Sequence, residues 1–221
     1  MIQWRNLPGE RTELYNPIGL RPIDELAGGF PLGKVKVNLD LKDSKGDWQV
    51  TGTKPVITQG GVISFPGLGR RAEFMGQPPR HYRVRLEAEL YRPLYSDPKG
   101  TEGQEFDAFP YNDANPPQKL GFVLDVAMKP AAGYPFPGHL LVLRGSVRDP
   151  VGLELSDILI SAGTTQSVLS DERGEFALPL SRVQKSTPIS VTAEELSGNR
   201  KGTITVNIPE DLGKNHTITI T

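Results

Sequence analysis

The sequence predicts an all-β protein of two tandem antiparallel β-sandwiches joined by a proline-rich connector. Three observations support this prediction. Apolar and polar residues alternate with a period of two in many short segments, turn-forming clusters separate these segments, and no segment keeps a 3.6-residue helical period. Glycine (24) and proline (20) are frequent among the 221 residues, which suits a turn-rich fold. At most a short helix is expected, at residues 22–26.

The alternation is clearest in residues 81–91, where Tyr82 and Val84 face one side and Arg83 and Arg85 face the other. This pattern is typical of half-buried strands in antiparallel sheets. The same rule predicts further strands at residues 34–41, 120–128, 158–161, 175–180, 189–193, 203–208 and 216–221.

A similar order of elements in the two halves indicates a duplicated domain. Residues 56–66 and residues 168–179 each contain a strand, a glycine turn and a second strand that ends at proline. Prolines between the halves restrict the backbone and therefore stiffen a connector. The predicted parts are an irregular arm at residues 1–28, a first sandwich at 29–128 with a long loop at 95–118, a connector at 129–138 and a second sandwich at 139–221.

Composition excludes several kinds of chemistry. The chain has no cysteine, hence no disulfide, thiolate metal site or cysteine nucleophile, and it has three histidines, His81, His139 and His216. A formal net charge of −1 gives no electrostatic reason to expect nucleic acid or an anionic membrane as partner. The sequence shows no signal peptide and no apolar stretch of about 18 residues, so we expect a cytoplasmic protein or a part of a phage-like particle.

The second half carries a more specific pattern. Residues 143–149 read Leu-Arg-Gly-Ser-Val-Arg-Asp, and residues 170–176 read Ser-Asp-Glu-Arg-Gly-Glu-Phe. With this G-x-V-x-D opening and D-x-x-G-x-F turn, residues 140–221 resemble the carboxypeptidase regulatory-like domain, and residues 30–128 look like a more divergent copy. The resemblance implies a seven-stranded, transthyretin-like (prealbumin-like) sandwich in a non-catalytic module that stiffens, spaces or binds. Residues 130–144 are also similar to small accessory proteins of phage-tail-like contractile injection systems.

An enzymatic site is not expected. Leu-Arg-Gly-Ser at residues 143–146 approaches the Tyr-Arg-Gly-Ser ending of transthyretin-like hydroxyisourate hydrolases, but leucine replaces tyrosine and the motif lies far from the end of the chain. His81 and Tyr82 are adjacent on a predicted strand, where neighbouring side chains point to opposite faces. We therefore do not expect these two residues to bind one iron ion together. The aspartates of residues 40–47 lack the EF-hand spacing for calcium. We therefore expect no catalytic residue, no metal and no cofactor.

Aromatic residues, most of them in proline-rich segments, are the candidate interaction residues. Exposed aromatic side chains in such loops often contact a partner, but the same residues also suit capping of the open ends of the sandwiches. Both interpretations stay open for the loop residues. The candidates are Trp4, Tyr15, Phe106, Phe109, Tyr111, Tyr134 and Phe136.

Two functions follow from these features. The first is a structural or adaptor protein that docks a protein partner in a larger assembly, with a phage-tail-like contractile particle as the candidate setting. The alternative is a carbohydrate-binding module in which Trp48 and the loop aromatics stack on sugar rings. Trp48 lies in a strand-like Asp-Trp-Gln-Val segment, so we expect its side chain in the core.

Overall fold

A computed structural model describes residues 14–71, 77–96, 99–117, 121–163, 166–180 and 188–221. These residues form strands, turns and irregular segments, with no helix among them, so the all-β prediction is confirmed. Accordingly, no helix of the described part is long and apolar enough to cross a membrane.

The strands follow the period-two alternation of the sequence. The described strands are β1 (Ile18–Asp24), β2 (Val35–Lys42), β3 (Trp48–Val50), β4 (Val56–Ile57), β5 (Ile63–Ser64), β6 (Arg80–Ala88), β7 (Tyr91–Ser96), β8 (Lys99–Gly100), β9 (Gln104–Ala108), β10 (Phe122–Pro130), β11 (Val142–Arg148), β12 (Ile158–Ala162), β13 (Gln166–Leu169), β14 (Glu175–Pro179), β15 (Pro188–Glu195), β16 (Lys201–Asn207) and β17 (His216–Thr219). Each segment that the alternation predicts to be a strand overlaps one of them, which confirms those predictions.

Three predicted segments differ from the structure. Residues 18–24, which the sequence assigns to an irregular arm, form β1. The predicted loop at residues 95–118 contains β8 and β9, and β9 buries Gln104 and Phe106 on one face. The end of β1 and a turn occupy residues 22–26, where the sequence permits at most a short helix. Strands as short as β8 are too brief to show a period, and they form because a neighbouring strand supplies their hydrogen bonds.

The described strands form three sheets. In the largest, of ten strands, neighbours follow the order β3-β2-β6-β7-β10-β1-β5-β4, with β8 beside β7 and β9 beside β6. A three-stranded sheet has the order β14-β11-β17, and a four-stranded sheet has the order β13-β12-β15-β16. β11 pairs antiparallel with β14 and parallel with β17.

The chain forms two compact units, each made of several segments. Unit 1 comprises the described residues within Met1–Arg21, Leu39–Arg83 and Glu105–Leu124. Most of its buried apolar side chains come from β1, β5, β6 and β9, and the rest come from β2 and from residues that follow β5 and β9. They are Ile18, Leu20, Leu39, Ile63, Phe65, Tyr82, Phe106, Ala108 and Tyr111.

Unit 2 comprises the described residues within Pro22–Asn38, Val84–Gln104 and Asp125–Thr221. In its last segment the three-stranded and four-stranded sheets share one hydrophobic core. These seven strands equal the number that the resemblance implies for residues 139–221. The core residues are Leu143, Val147, Ile158, Ile160, Val168, Phe176, Leu178, Leu180, Val191, Ala193, Val206, Ile208, Ile218 and Ile220.

The glycine of the G-x-V-x-D opening has a packing role in unit 2. A Cβ atom on Gly145 would lie 2.3 Å from the backbone oxygen of His216 and 2.8 Å from the ring of Phe176. Only a residue without a side chain therefore lets β17 and the Phe176 ring approach β11 this closely. This explains why glycine stands at that position of the motif.

Candidate functional site

Two of the candidate interaction residues, Tyr15 and Tyr111, are in contact in unit 1, and Phe109 belongs to the same segment as Tyr111. The backbone N–H of Tyr15 donates a hydrogen bond to the Tyr111 hydroxyl at 3.1 Å, and the two rings meet edge to face with centroids 5.3 Å apart. Phe109 lies two residues before Tyr111. The sequence placed these residues in different predicted parts, an arm and a loop, and the structure brings them together.

A tight turn after β5 holds this group. The backbone N–H of Gly67 donates to the carbonyl of Tyr15 at 2.9 Å, and the N–H of Tyr111 donates to the carbonyl of Gly69 at 3.1 Å. Gly69 has a φ of 95°, and a Cβ atom there would lie 2.5 Å from the Phe109 carbonyl oxygen. Glycine is thus required at position 69 both for the backbone conformation and for the close approach of Phe109. We call Leu14, Tyr15, Gly67, Gly69, Phe109 and Tyr111 the Tyr15–Tyr111 corner.

The Tyr15–Tyr111 corner presents apolar side chains to solvent on a rigid base. Leu14 is 55% exposed and Phe109 is 40% exposed, whereas Tyr111 is buried. Leu14 also lies against Gly67, since a Cβ atom on that glycine would sit 3.3 Å from its Cδ2. The corner therefore combines an anchored aromatic base with two exposed apolar groups.

A second apolar group lies further along the same segment of chain, around Gly19 of β1. A Cβ atom on Gly19 would lie 2.9 Å from Val62 and 3.1 Å from Val123, so these side chains flank it. Val56 lies on the same face two strands away, because Gly19 and Val56 both pair with Ser64. Val56 and Val123 are each about half exposed. We call Val56, Val62 and Val123 the Gly19 strip.

The other loop candidates are less exposed. Phe106 is buried in unit 1, where its ring stacks on Tyr82 with centroids 5.7 Å apart. Tyr134 is buried in unit 2, and its ring lies 4.9 Å from that of the half-buried Phe136. Trp4 lies outside the described residues. Because Phe106, Tyr111 and Tyr134 are buried, their rings are not exposed for direct contact with a partner.

A buried carboxylate that the sequence analysis missed organises the start of unit 2. Asp24 accepts hydrogen bonds from the hydroxyls of Tyr91 at 2.7 Å and Tyr134 at 2.9 Å, and from the backbone N–H groups of Leu26 and Ala27. Burial, and next to it the bond to Asp24, raises the pKa of Tyr134, and burial likewise raises that of Tyr91. Both phenols stay neutral donors, so this cluster serves structure. Its only signal in the sequence is an aspartate just before a turn.

A histidine between two carboxylates lies in unit 1. The Nδ1 atom of His81 lies 2.8 Å from an oxygen of Asp107, and its Nε2 atom lies 2.7 Å from an oxygen of Glu105. The two acids occupy alternate positions on β9, beside β6, and so share a face. Burial acts to lower the pKa of His81, but the hydrogen bonds to Asp107 and Glu105 outweigh it and raise the pKa overall. We call these three residues the His81 cluster.

Trp48 is half-buried at the surface of unit 1, so the expectation that it lies in the core is wrong. It sits on β3, which is the terminal strand of the ten-stranded sheet in the described part of the chain. Charged and polar side chains lie beside its ring. The Arg83 guanidinium lies 4.5 Å and the Lys42 ammonium 5.2 Å from the centre of the ring, and the centre of the His81 ring lies 5.6 Å away. Arg83 is held in turn by two hydrogen bonds to the buried Asp40, at 3.1 and 3.2 Å.

In the ranges that the structure describes, no three histidine, aspartate or glutamate side chains are arranged to hold a metal ion. His139 and His216 belong to unit 2, whereas the residues of the Tyr15–Tyr111 corner belong to unit 1.

Comparisons with known proteins give weak likenesses. No protein family matches the chain, and no curated protein is similar to it in sequence. Among solved structures, the Bacillus anthracis TIE protein is 11% identical with a TM-score of 0.28, covering 94% of this chain and 34% of that one. A C-terminal fragment of the pilus adhesin SpaC from Lactobacillus rhamnosus GG is 16% identical with a TM-score of 0.22, covering 92% of this chain and 86% of the fragment.

This chain thus spans about a third of the length of the TIE protein to which it is similar. TM-scores at this level do not establish a shared arrangement of strands. The resemblance of residues 140–221 to the carboxypeptidase regulatory-like domain stays a prediction.

Proposed function

We propose that the protein is a non-catalytic structural or adaptor module that docks a protein partner through the Tyr15–Tyr111 corner of unit 1. The observation that carries the proposal is the exposure of Leu14 and Phe109 on a base fixed by hydrogen bonds. Exposed apolar side chains grouped at one place mark interaction sites more often than the same residues scattered singly.

The rigidity of the corner supports this role. Ordering of contact side chains and loops is a main cost of association, and a surface that is already ordered avoids much of it. Backbone hydrogen bonds from Gly67 and Tyr111 fix the two loops that carry Leu14 and Phe109. Aromatic residues such as Phe109 also contribute strongly at the centre of protein interfaces. The Gly19 strip adds two half-exposed valines, Val56 and Val123, in the same unit.

The proposal specifies the kind of partner. A protein with an apolar surface suits Leu14 and Phe109, whereas the formal net charge of −1 offers no general attraction to nucleic acid or anionic membranes. A cytoplasmic phage-tail-like particle is the candidate setting drawn from the sequence. The carbohydrate alternative is less well supported, since cationic groups already lie against the Trp48 ring.

The test uses the full chain as immobilised bait in a lysate of the source organism. Three baits are compared: the wild type, the double variant L14S/F109S, and the control V151S/L153S, which removes two exposed apolar side chains from unit 2. Circular dichroism and thermal unfolding first establish that all three are folded. A protein retained by the wild type and the control but lost by L14S/F109S supports the proposal.

Affinity then decides the question quantitatively. With the captured protein purified, L14S/F109S should weaken binding by at least about tenfold, as expected when two interface anchors are truncated. Equal binding by all three proteins would contradict docking at the corner. Saturable binding on a glycan array that is abolished by W48A, without protein capture, would favour the carbohydrate module instead.

A further inference from the structure

The His81 cluster is joined directly to the proposed docking corner. Glu105 and Asp107 lie on β9, which ends at Ala108, and Phe109 follows immediately. The position of β9 beside β6 therefore helps to set where Phe109 stands. The other support of Phe109 is its backbone contact with Gly69.

The two hydrogen bonds of His81 require a proton. A neutral imidazole has one N–H donor and one acceptor nitrogen, whereas an ionised carboxylate only accepts. His81 has an acidic oxygen within hydrogen-bond distance of each ring nitrogen. Both contacts are favourable together only when the ring is an imidazolium, with N–H donors on both sides. Loss of the proton leaves a ring lone pair facing a carboxylate oxygen, which is repulsive.

We propose that protonated His81 holds β9 against β6, a contact that we call the clasp. The Tyr15–Tyr111 corner then binds its partner most tightly when His81 is protonated. The inference rests on the proposed function for its binding part, but the clasp itself is independent of any partner. Protonation strengthens both hydrogen bonds from His81 on β6 to the acids on β9 and so restrains Phe109. Deprotonation replaces one of these hydrogen bonds with repulsion, and β9 separates more readily from β6.

The surrounding charges are consistent with a single titrating group. Arg83, on the same face of β6, is matched by the buried Asp40 on β2. Lys42, also on β2, lies over the Trp48 ring from β3, and that ring lies against His81. The acids that form hydrogen bonds with His81 are the two on β9. Their hydrogen bonds raise the pKa of His81 above the ordinary value of 6.5, despite opposing burial.

The clasp is tested first without a partner. Imidazole resonances of the full chain are followed by NMR from pH 5 to pH 9, and His81 is assigned with H81Q. Its midpoint should lie above that of a blocked histidine peptide and should fall in D107N, and further in E105Q/D107N. A His81 midpoint at or below the peptide value overturns the proposal. Each carboxylate is replaced by an isosteric amide, so the fold is expected to survive.

Coupling to the corner is tested by amide hydrogen exchange of residues 105–111, corrected for the intrinsic pH dependence. Protection in the wild type should fall about tenfold as the pH rises through the His81 midpoint, which is the size expected for one lost charged hydrogen bond. In H81R, which stays charged, protection should not change with pH. A wild-type protection that is independent of pH, or a pH dependence unchanged in H81R, overturns the coupling.

Binding gives the last readout. The affinity of the captured partner should be higher at pH 6 than at pH 8 for the wild type and equal at both for H81R. By linkage, partner binding should also raise the His81 midpoint. Failure to capture any partner would count against the proposed function, while the titration and exchange experiments would still decide the clasp.

Discussion

The carboxylate of Asp24 accepts a hydrogen bond at 2.9 Å from the hydroxyl of Tyr134, which lies 110 residues later in the chain. This bond joins the end of β1 to a segment that the sequence presents as a connector. Tyr134 is buried there against Tyr91, with ring centroids 5.4 Å apart. Residues 131–134 thus pack within unit 2.

Removing the Asp24 carboxylate should destabilise the protein strongly. In D24A, the Tyr91 and Tyr134 hydroxyls and two backbone N–H groups lose their acceptor in a buried site. We expect a loss of about 3 kcal/mol in the free energy of unfolding, since the two buried hydroxyls lose their acceptor and each such loss costs about 1–3 kcal/mol. Urea denaturation measures it. The control Y134F removes one donor and should cost about 1 kcal/mol, and a loss in D24A no larger than in Y134F would refute the assignment.

The Arg83–Asp40 pair should behave as a buried ion pair. Asp40 is 1% exposed and accepts two hydrogen bonds from Arg83. R83A should therefore cost about 3 kcal/mol of unfolding free energy, because it leaves a buried carboxylate without this partner. The exposed Lys36–Glu87 pair is the matched control, and K36A should cost no more than about 0.5 kcal/mol. Similar losses in the two variants would contradict the burial of Asp40.

Gly145 should be intolerant of any side chain. A Cβ atom at this position meets a backbone oxygen of β17 and the Phe176 ring, so G145A forces β11 and β17 apart. The expected loss is about 2–3 kcal/mol, the usual cost of overpacking a core. G138A is the control, since a Cβ atom there meets nothing within 4 Å, and its effect should stay within about 0.5 kcal/mol. Thermal and urea unfolding of both variants provide the comparison.

The protein should be more stable when the carboxyl group of Asp157 is neutral than when it is ionised. Burial raises its pKa above the usual 3.8, although Arg92 at 3.9 Å opposes this shift. A folded pKa above the unfolded one means that its contribution to stability is complete at low pH and is lost as the pH rises through the folded pKa. D157N should therefore unfold at a higher temperature than the wild type at pH 7, with the difference closing towards pH 3.

Backbone conformation adds to the expected gain in D157N. Asp157 has a φ of 58°, in the left-handed region where asparagine is well tolerated. D157A is the control, because alanine has neither the polar side chain nor the tolerance of this conformation, and it should be about 1 kcal/mol less stable than D157N at both pH values. A D157N variant that is less stable than the wild type at pH 7 would show that the charge is favourable at this site.

The sequence predicts which residues are candidates for the site, but it does not predict contacts between residues that are far apart in the chain. Tyr15, Phe109 and Tyr111 are found from residue type alone, since aromatic residues near turns are natural contact candidates. Their meeting is not predictable, because a separation of 96 residues lies between Tyr15 and Tyr111. His81 meets its two acids only when β6 pairs with β9, and β9 lies in a predicted loop.

The sequence by itself determined that this protein is all-β, because period-two alternation is a local property of each strand and survives in segments such as β2, β6 and β15. Only the tertiary structure decided which strands pair, which aromatic residues are buried and which carboxylates face His81. These outcomes depend on hydrogen bonds and packing between residues far apart in the chain, and no local period records them.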